Sequence, residues 1–396
     1  MEFKKKLFQI NLMELLFYAG MVSISFLAVI FTEAGMDGTT VGIIMSAVSI
    51  VSMFAPPLFG VMADKFGVRM TYCIAMIGAS AFWLLVPFTI TVKLGTIPLT
   101  VIWILTGTIF RSSHESLMDS WLMKIQDSEP SFNYSNTRKY GSLGYATMAV
   151  LSTPIAATFG TGAVFLLMPI TLIPILFLAK RIGDPGPAVG AKAAPAKKKG
   201  EKLQLGRLFR SYPLMIFLFC VIFMRMPFSA SSIQLQYLLK EITGDTSLVG
   251  LLAGIKAFLE FPCFILVPII AKKVKPVILI CAVFIYYGVE ALLLGIAQDL
   301  WLVILLQMTS GVGFAIMLAT VINYVHSLAP EGLSATAVTA NTAVMGFSGI
   351  LTNMICGVLR DTVGFRTGYF VVGAIGITAV GLFMVLQMFV KKKKAV

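Results

Sequence analysis

The sequence predicts an all-α membrane protein: twelve transmembrane helices in two six-helix halves. Three observations lead there. Of 396 residues, 58% are hydrophobic and only 12% are charged, with a mean hydropathy of +0.91; soluble domains carry about 25% charged residues. The apolar residues form long continuous runs rather than alternating ones, which selects helices over a barrel. Twelve of these runs reach the roughly 20 residues that a helix needs to cross a bilayer.

Taken in order, spans 1 to 6 are expected at 8–33, 41–63, 70–92, 97–123, 139–160 and 162–181. Spans 7 to 12 are expected at 212–239, 246–271, 276–297, 300–326, 335–359 and 367–390. Span 1 is too long for the apolar core of a cleaved signal peptide, and no small-residue cleavage site follows it. Between spans 6 and 7 lies RIGDPGPAVGAKAAPAKKKGEKLQLGRLFR, rich in Pro, Gly, Ala and Lys, which reads as a flexible linker. The expected domains are therefore an N-terminal bundle at 1–182, a linker at 183–211 and a C-terminal bundle at 212–396.

The net charge of +13 does not indicate a nucleic-acid partner, because the cations sit in links. Lys4, Lys5, Lys6, Lys65, Arg69, Lys139, Lys180 and Arg181 fall at the N-terminus or in even-numbered links. So do Lys197, Lys198, Lys199, Lys202, Arg207, Arg210, Lys272, Lys273 and Lys275, while Lys391 to Lys394 close the chain. This asymmetry predicts a cell (plasma or inner) membrane protein with both termini in the cytoplasm. The five cysteines (Cys73, Cys220, Cys263, Cys281 and Cys356) are scattered and suggest neither disulfides nor a metal site. No nucleotide-binding glycine loop and no metal-ligand spacing is present, so neither an enzyme nor a bound cofactor is expected.

A charged side chain at membrane depth costs about 2.5–3.5 kcal/mol or more, so each one marks a functional candidate. Span 4 is the richest, with Arg111, His114, Glu115, Asp119 and Trp121. Steps of four residues place Arg111, Glu115 and Asp119 along one face of a continuous helix. Span 5 opens with Arg138, whose planar fork suits a carboxylate or paired hydroxyls, followed by Gly141, Gly144 and Tyr145. The second half carries Arg225 beside Pro227, Lys256 four residues before Glu260, and Glu290; span 1 carries Glu14. Internal salt bridges between helices are the competing reading of these pairs. The cations and anions nearly balance, which argues for a neutral solute. His114 titrates near neutrality if water reaches it. Glycines at 141, 144, 311 and 313 are expected to permit close helix crossing.

Between spans 2 and 3 the sequence reads G-x-x-x-D-K-x-G-x-R, formed by Gly60, Asp64, Lys65, Gly67 and Arg69. It resembles the loop signature of the major facilitator superfamily, which implies that superfamily's fold and a conformational role for the loop. A weaker echo follows in Gly357, Arg360, Asp361, Gly364 and Arg366 between spans 11 and 12. The segments VGIIMSAVSIVSMFAPPLFGVMADKFGVRM and RKYGSLGYA are similar to the lactose permease branch, the oligosaccharide–proton symporters.

That resemblance implies that Asp119 and Arg138 pair at the solute, with Tyr145 stacking on it where the branch has tryptophan. His114 and Glu115 are further binding candidates, and Glu260 is the implied carboxylate of span 8. The resemblance does not carry the branch's proton relay. Ser310 and Gly313 stand at its span 10 positions, Glu290 replaces an arginine and Met345 a lysine. The candidates for proton coupling are instead Glu290 with Arg225 and Glu260 with Lys256, since a carboxylate's proton affinity changes with the distance of a cation.

The expected function is secondary active transport, proton-coupled symport of a sugar or nucleoside by alternating access. The expected partners are a small-molecule solute, protons (or sodium) and the lipid bilayer, with the protein a monomer. The alternative is a proton-driven exporter of drugs or metabolites, favoured by 22 methionines and 30 phenylalanines that could line an adaptable pocket.

Overall fold

The computed structural model describes all residues except 1, 96, 129–136, 184–207, 209, 272, 331–332 and 395–396. The expected linker at 183–211 lies almost wholly outside the described residues, as do Lys197, Lys198, Lys199, Lys202, Arg207 and Lys272. The spans are helical because, in hydrocarbon, every backbone N–H and C=O must be satisfied within its own segment.

Span 1 runs from Glu2–Gly20 through a 3₁₀ turn, Met21–Phe26, into Leu27–Glu33. Spans 2 and 3 are Gly38–Phe66 and Val68–Leu85. Span 4 is split into Leu99–Arg111 and His114–Ser128. Span 5 is Arg138–Phe159, and span 6 is Thr161–Val164 with Leu167–Ile182. Span 7 is split into Tyr212–Met224 and Met226–Thr243. Spans 8 to 12 are Leu248–Ala271, Pro276–Ile296, Leu300–Leu328, Ser334–Thr362 and Phe365–Lys394. Among the described residues, nine of these stretches are long and apolar enough by themselves to cross a membrane. The broken span 4, span 5 and span 8 complete the twelve.

Several boundaries move. Span 3 stops at Leu85 rather than at 92, where Pro87 withholds a donor and the Thr89 hydroxyl takes the Leu85 carbonyl at 2.9 Å. A two-residue antiparallel pairing of Lys93–Leu94 with Ile97–Pro98 then leads into span 4. The polar link between spans 2 and 3 shrinks to Gly67 alone. Asp64 and Lys65 finish the span 2 helix and Arg69 begins span 3. Gly67 has φ +88°, a conformation that needs glycine. Gly60 has open space around it: a Cβ there would meet nothing within 4 Å.

The helices group into two compact units. One comprises Met1–Gly35, Ile50–Ala196 and Ser247–Phe258; the other comprises Met36–Ser49, Lys197–Thr246 and Leu259–Val396. In the first, spans 1 and 5, 1 and 6, 3 and 4, and 3 and 6 pack together, burying Phe17, Tyr72, Trp83, Trp121 and Phe165. Span 1 crosses span 5 so closely that a Cβ at Gly144 would run into the Leu15 carbonyl. In the second unit, spans 9, 10, 11 and 12 surround span 7 over a core that includes Phe217, Phe284, Tyr287 and Phe383. Gly42 and Gly357 face one another there, a Cβ at either lying 3.2 Å from the other's Cα.

Gly144→Val is expected to destabilise the protein by about 1–3 kcal/mol, the usual cost of overpacking. Gly60→Ala, in open space within a helix, is expected to stabilise it by about 0.5–1 kcal/mol. Melting temperatures of the detergent-solubilised variants check both.

Candidate functional site

Three spans are interrupted near mid-length, and each interruption carries polar side chains. A continuous span 4 with Arg111, Glu115 and Asp119 on one face does not form. The helix ends at Arg111, turns through Ser112 and Ser113, and restarts at His114. Both serine hydroxyls bond the Ile109 carbonyl at 3.4 Å, offering the backbone a partner that competes with the helical ladder. The three charges differ in exposure: Arg111 is buried, Asp119 half-buried and Glu115 exposed.

Arg111 reaches across to spans 1 and 2, its Nη1 3.2 Å from the Met21 sulfur and its Nη2 donating to Ser52 at 3.4 Å. His114 is enclosed at 1% exposure. Its Nδ1 shares a 3.0 Å hydrogen bond with the Tyr72 hydroxyl, and Phe17 stacks on its ring with centroids 3.2 Å apart and planes within 3°. Tyr18 meets the same ring edge-on and donates its hydroxyl to Glu115 Oε1 at 2.8 Å. A Cβ at Gly141 would lie 2.6 Å from the Tyr18 ring, so the first turn of span 5, which begins at Arg138, lies over Tyr18. The Arg138 side chain is outside the described residues. Tyr145, half-buried, shares a 2.8 Å hydrogen bond with Ser25 in the 3₁₀ turn of span 1.

Tyr18 and Tyr72, which join His114 and Glu115 to spans 1 and 3, went unnoticed at sequence level because tyrosines in apolar runs look like core residues. The usable signal was spacing: Tyr18 lies four residues after Glu14 and so shares its face.

In the second unit the span 7 break falls at Arg225, ahead of Pro227. The Arg225 guanidinium donates to the Met345 carbonyl at 3.0 Å and lies 5.4 Å over Phe228. Phe228 also packs edge-on against Tyr287 and stacks on Phe314. Tyr287, one turn before the buried Glu290, donates to the Ser310 carbonyl at 3.1 Å. It also lies within electrostatic reach of Arg225, Glu290 and Glu260. A Cβ at Gly313 would sit 3.0 Å from the Tyr287 hydroxyl, so this tyrosine occupies room that glycine leaves. On span 8, Glu260 and Lys256 are both half-buried.

Each member of the span 11–12 echo has a physical task. Gly357 and Gly38 allow span 2 to pack on span 11, and Gly364 turns the chain at φ +97°. Arg360 lies 4.3 Å over the Tyr237 ring. Asp361 accepts from the backbone N–H of Gly38 at 2.7 Å and of Thr39 at 2.6 Å, and from the Thr39 hydroxyl at 2.7 Å, so it caps the start of span 2. Arg366 bonds Glu241 at 2.7 Å and the carbonyls of Gly295 and Ala297 at 2.8 and 2.7 Å, tying span 12 to the ends of spans 7 and 9.

A polytopic helical protein whose polar side chains gather at broken spans is a membrane transporter by class. The sequence matches the MFS_1 like family over residues 7–371, and the chain belongs to that family. It is similar to the maltose permease of Geobacillus stearothermophilus, 26% identical over 79% of this chain and 76% of that one. It is also similar to the uncharacterized transporter YwbF of Bacillus subtilis (strain 168), 24% identical over 91% and 88%. Among solved structures it shares its fold with the nucleoside transporter NupG: TM-score 0.79 at 13% identity, covering 96% of this chain and 98% of that one. The protein is therefore a multi-pass transporter of the major facilitator fold and not an enzyme.

Asp361→Ala leaves two amide donors at the start of span 2 without their acceptor and is expected to cost about 1–3 kcal/mol. Asp361→Asn, which keeps one acceptor oxygen, is expected to cost less. Melting temperature measured on both variants tests the order.

Proposed function

We propose that this transporter carries a neutral, hydroxyl-rich solute, a sugar or a nucleoside, together with protons by alternating access in the cell membrane. The observation that carries the reading is the cluster of hydrogen-bonding groups at the breaks of spans 1 and 4. Glu115 is held by Tyr18 beneath the first turn of span 5, with Asp119 one turn further on and Tyr145 held by Ser25. Carboxylates accept from sugar hydroxyls, Arg138 offers a donor fork, and the tyrosine rings offer flat faces for the apolar side of a pyranose or a base. The similarity to a maltose permease favours a sugar.

For proton coupling the proposed pair is Arg225 at the span 7 break and the buried Glu290 of span 9; Arg225 lies over Phe228, which packs against Tyr287, one turn before Glu290. A carboxylate near a cation releases its proton and regains it when the cation withdraws. Movement of the span 7 break against span 9 therefore loads and unloads Glu290, with Glu260 and Lys256 as the second such pair. Both termini are assigned to the cytoplasm by the distribution of lysine and arginine.

Purified protein in proteoliposomes, assayed with labelled maltose and labelled uridine under an inward proton gradient, tests the reading. Uptake of one of them is expected, and Arg138→Ala is expected to weaken it about ten- to a hundredfold, the loss of one or two charge-assisted hydrogen bonds. Glu290→Gln is expected to abolish gradient-driven accumulation while leaving downhill exchange. Uptake of neither solute, with extrusion of lipophilic cations instead, favours the exporter.

A further inference from the structure

Spans 2 and 8 are each divided between the two units. Span 2 groups with the second unit up to Ser49 and with the first from Ile50. Span 8 is divided the opposite way: Ser247–Phe258 group with the first unit and Leu259 onward with the second. Each sequence half therefore holds the first part of an even-numbered span of the other, at the end that the lysine and arginine distribution assigns to the outer side. A Cβ at Gly250 of span 8 would run into the Ala149 carbonyl and the Ser152 hydroxyl of span 5, and one at Gly254 would run into Val150. A Cβ at Gly42 of span 2 would run into the Asn353 carbonyl of span 11, and Ser46 donates to the Ile350 carbonyl at 3.1 Å. The span 2 seam ends in a charged contact. Asp361 Oδ1 accepts the Gly38 amide at 2.7 Å, and Oδ2 accepts the Thr39 amide at 2.6 Å and the Thr39 hydroxyl at 2.7 Å.

We infer that Asp361 is a conformational latch: its carboxylate clasps the first turn of span 2 while spans 2 and 11 lie together at that end, and lets go when they part.

The helix start does not need Asp361 as its cap, because span 2 brings its own. Asp37, the residue before the first turn, accepts the Thr40 amide at 2.7 Å and the Thr40 hydroxyl at 2.9 Å. The start of span 2 therefore stays capped when Asp361 leaves. What Asp361 adds is a link from one sequence half to the other. Arg360, 3.8 Å from Asp361 Oδ1 and stacked over Tyr237 of span 7, holds the carboxylate on the second half. The Asp361 side chain is already 29% exposed, so water takes over its oxygens when the contact opens. The far end of span 2 differs. Asp64 is exposed there and makes no hydrogen bond or ion pair with a described residue.

Rocking of two halves about a central solute requires the seams at one end to part. This use of the latch rests on the transport reading above; the clasp itself does not.

The experiment is thiol labelling. Ser46 is 4% exposed in the seam, and Cys220 is 1% exposed in the core of the second unit. Ser46→Cys protein in detergent, without solute or gradient, is treated with a maleimide, and peptide mass spectrometry reads the rate at position 46 and at Cys220. Adding Asp361→Ala is expected to raise the rate at position 46 about tenfold, the effect of losing two hydrogen bonds of ordinary strength. Asp361→Asn, which keeps one acceptor oxygen, is expected to raise it less. Asp37→Ala, which removes only the helix's own cap, is expected to leave it unchanged, and Cys220 is expected to stay unreactive in all of them. A rate at position 46 unmoved by Asp361→Ala, raised equally by Asp37→Ala or matched by a rise at Cys220 overturns the proposal. If Asp361→Ala does not fold, Asp361→Asn set against Asp37→Ala decides on the same terms. Because no solute is present, failure of the sugar or nucleoside assay leaves this result standing, and the reverse also holds.

Discussion

The structure depends on one constraint: in an apolar medium a backbone hydrogen bond left unmade has no water to replace it. The cost drives every span into helix and leaves few places where the ladder can be interrupted. Spans 1, 4 and 7 are interrupted nonetheless, and each break is stabilised locally. Ser23 bonds the carbonyls of Gly20 and Val164. Ser112 and Ser113 take the Ile109 carbonyl. At the span 7 break the Arg225 amide donates to the Val221 carbonyl and the Arg225 carbonyl accepts from the Ser229 amide. Arg111, His114 and Arg225 lie at these breaks.

Small residues govern how the helices then meet. Gly144 admits the Leu15 backbone, Gly141 admits the Tyr18 ring, and Gly313 admits the Tyr287 hydroxyl. In each case the space that glycine leaves is filled by a group that belongs to a candidate site or to its immediate support. Packing and function are therefore not separable here, since a side chain added at Gly141 displaces Tyr18 and with it the partner of Glu115.

Much of the fold was legible in the order of residues. Twelve apolar runs gave twelve spans, although the span 7 break at Arg225 was not read from Pro227 beside it. Other features were hidden for physical reasons. The span 4 break depends on two serines bonding a carbonyl three and four residues back, and serines of that kind are found in unbroken helices too. Tyr18, Tyr72 and Tyr287 look like any aromatic core residue until partners 20 or more residues away meet their hydroxyls. The echo at Gly357 to Arg366 was visible as a pattern, but the role of Asp361 was not. Its ligand is the start of span 2, more than 300 residues earlier in the chain.

The sequence by itself determined the solvent of this protein, and with it the helical class, the number of spans and the superfamily. Those follow from summed hydropathy and from a local motif, and neither requires knowing what a residue touches. Only the tertiary structure decided which buried charges belong together. It gave Glu115 the Tyr18 hydroxyl, joined His114 to Tyr72, and brought the Arg225 guanidinium to the Met345 carbonyl. Hydrogen bonds and charge interactions act over a few ångströms, and at that range proximity is set by the packing of distant helices rather than by spacing along the chain.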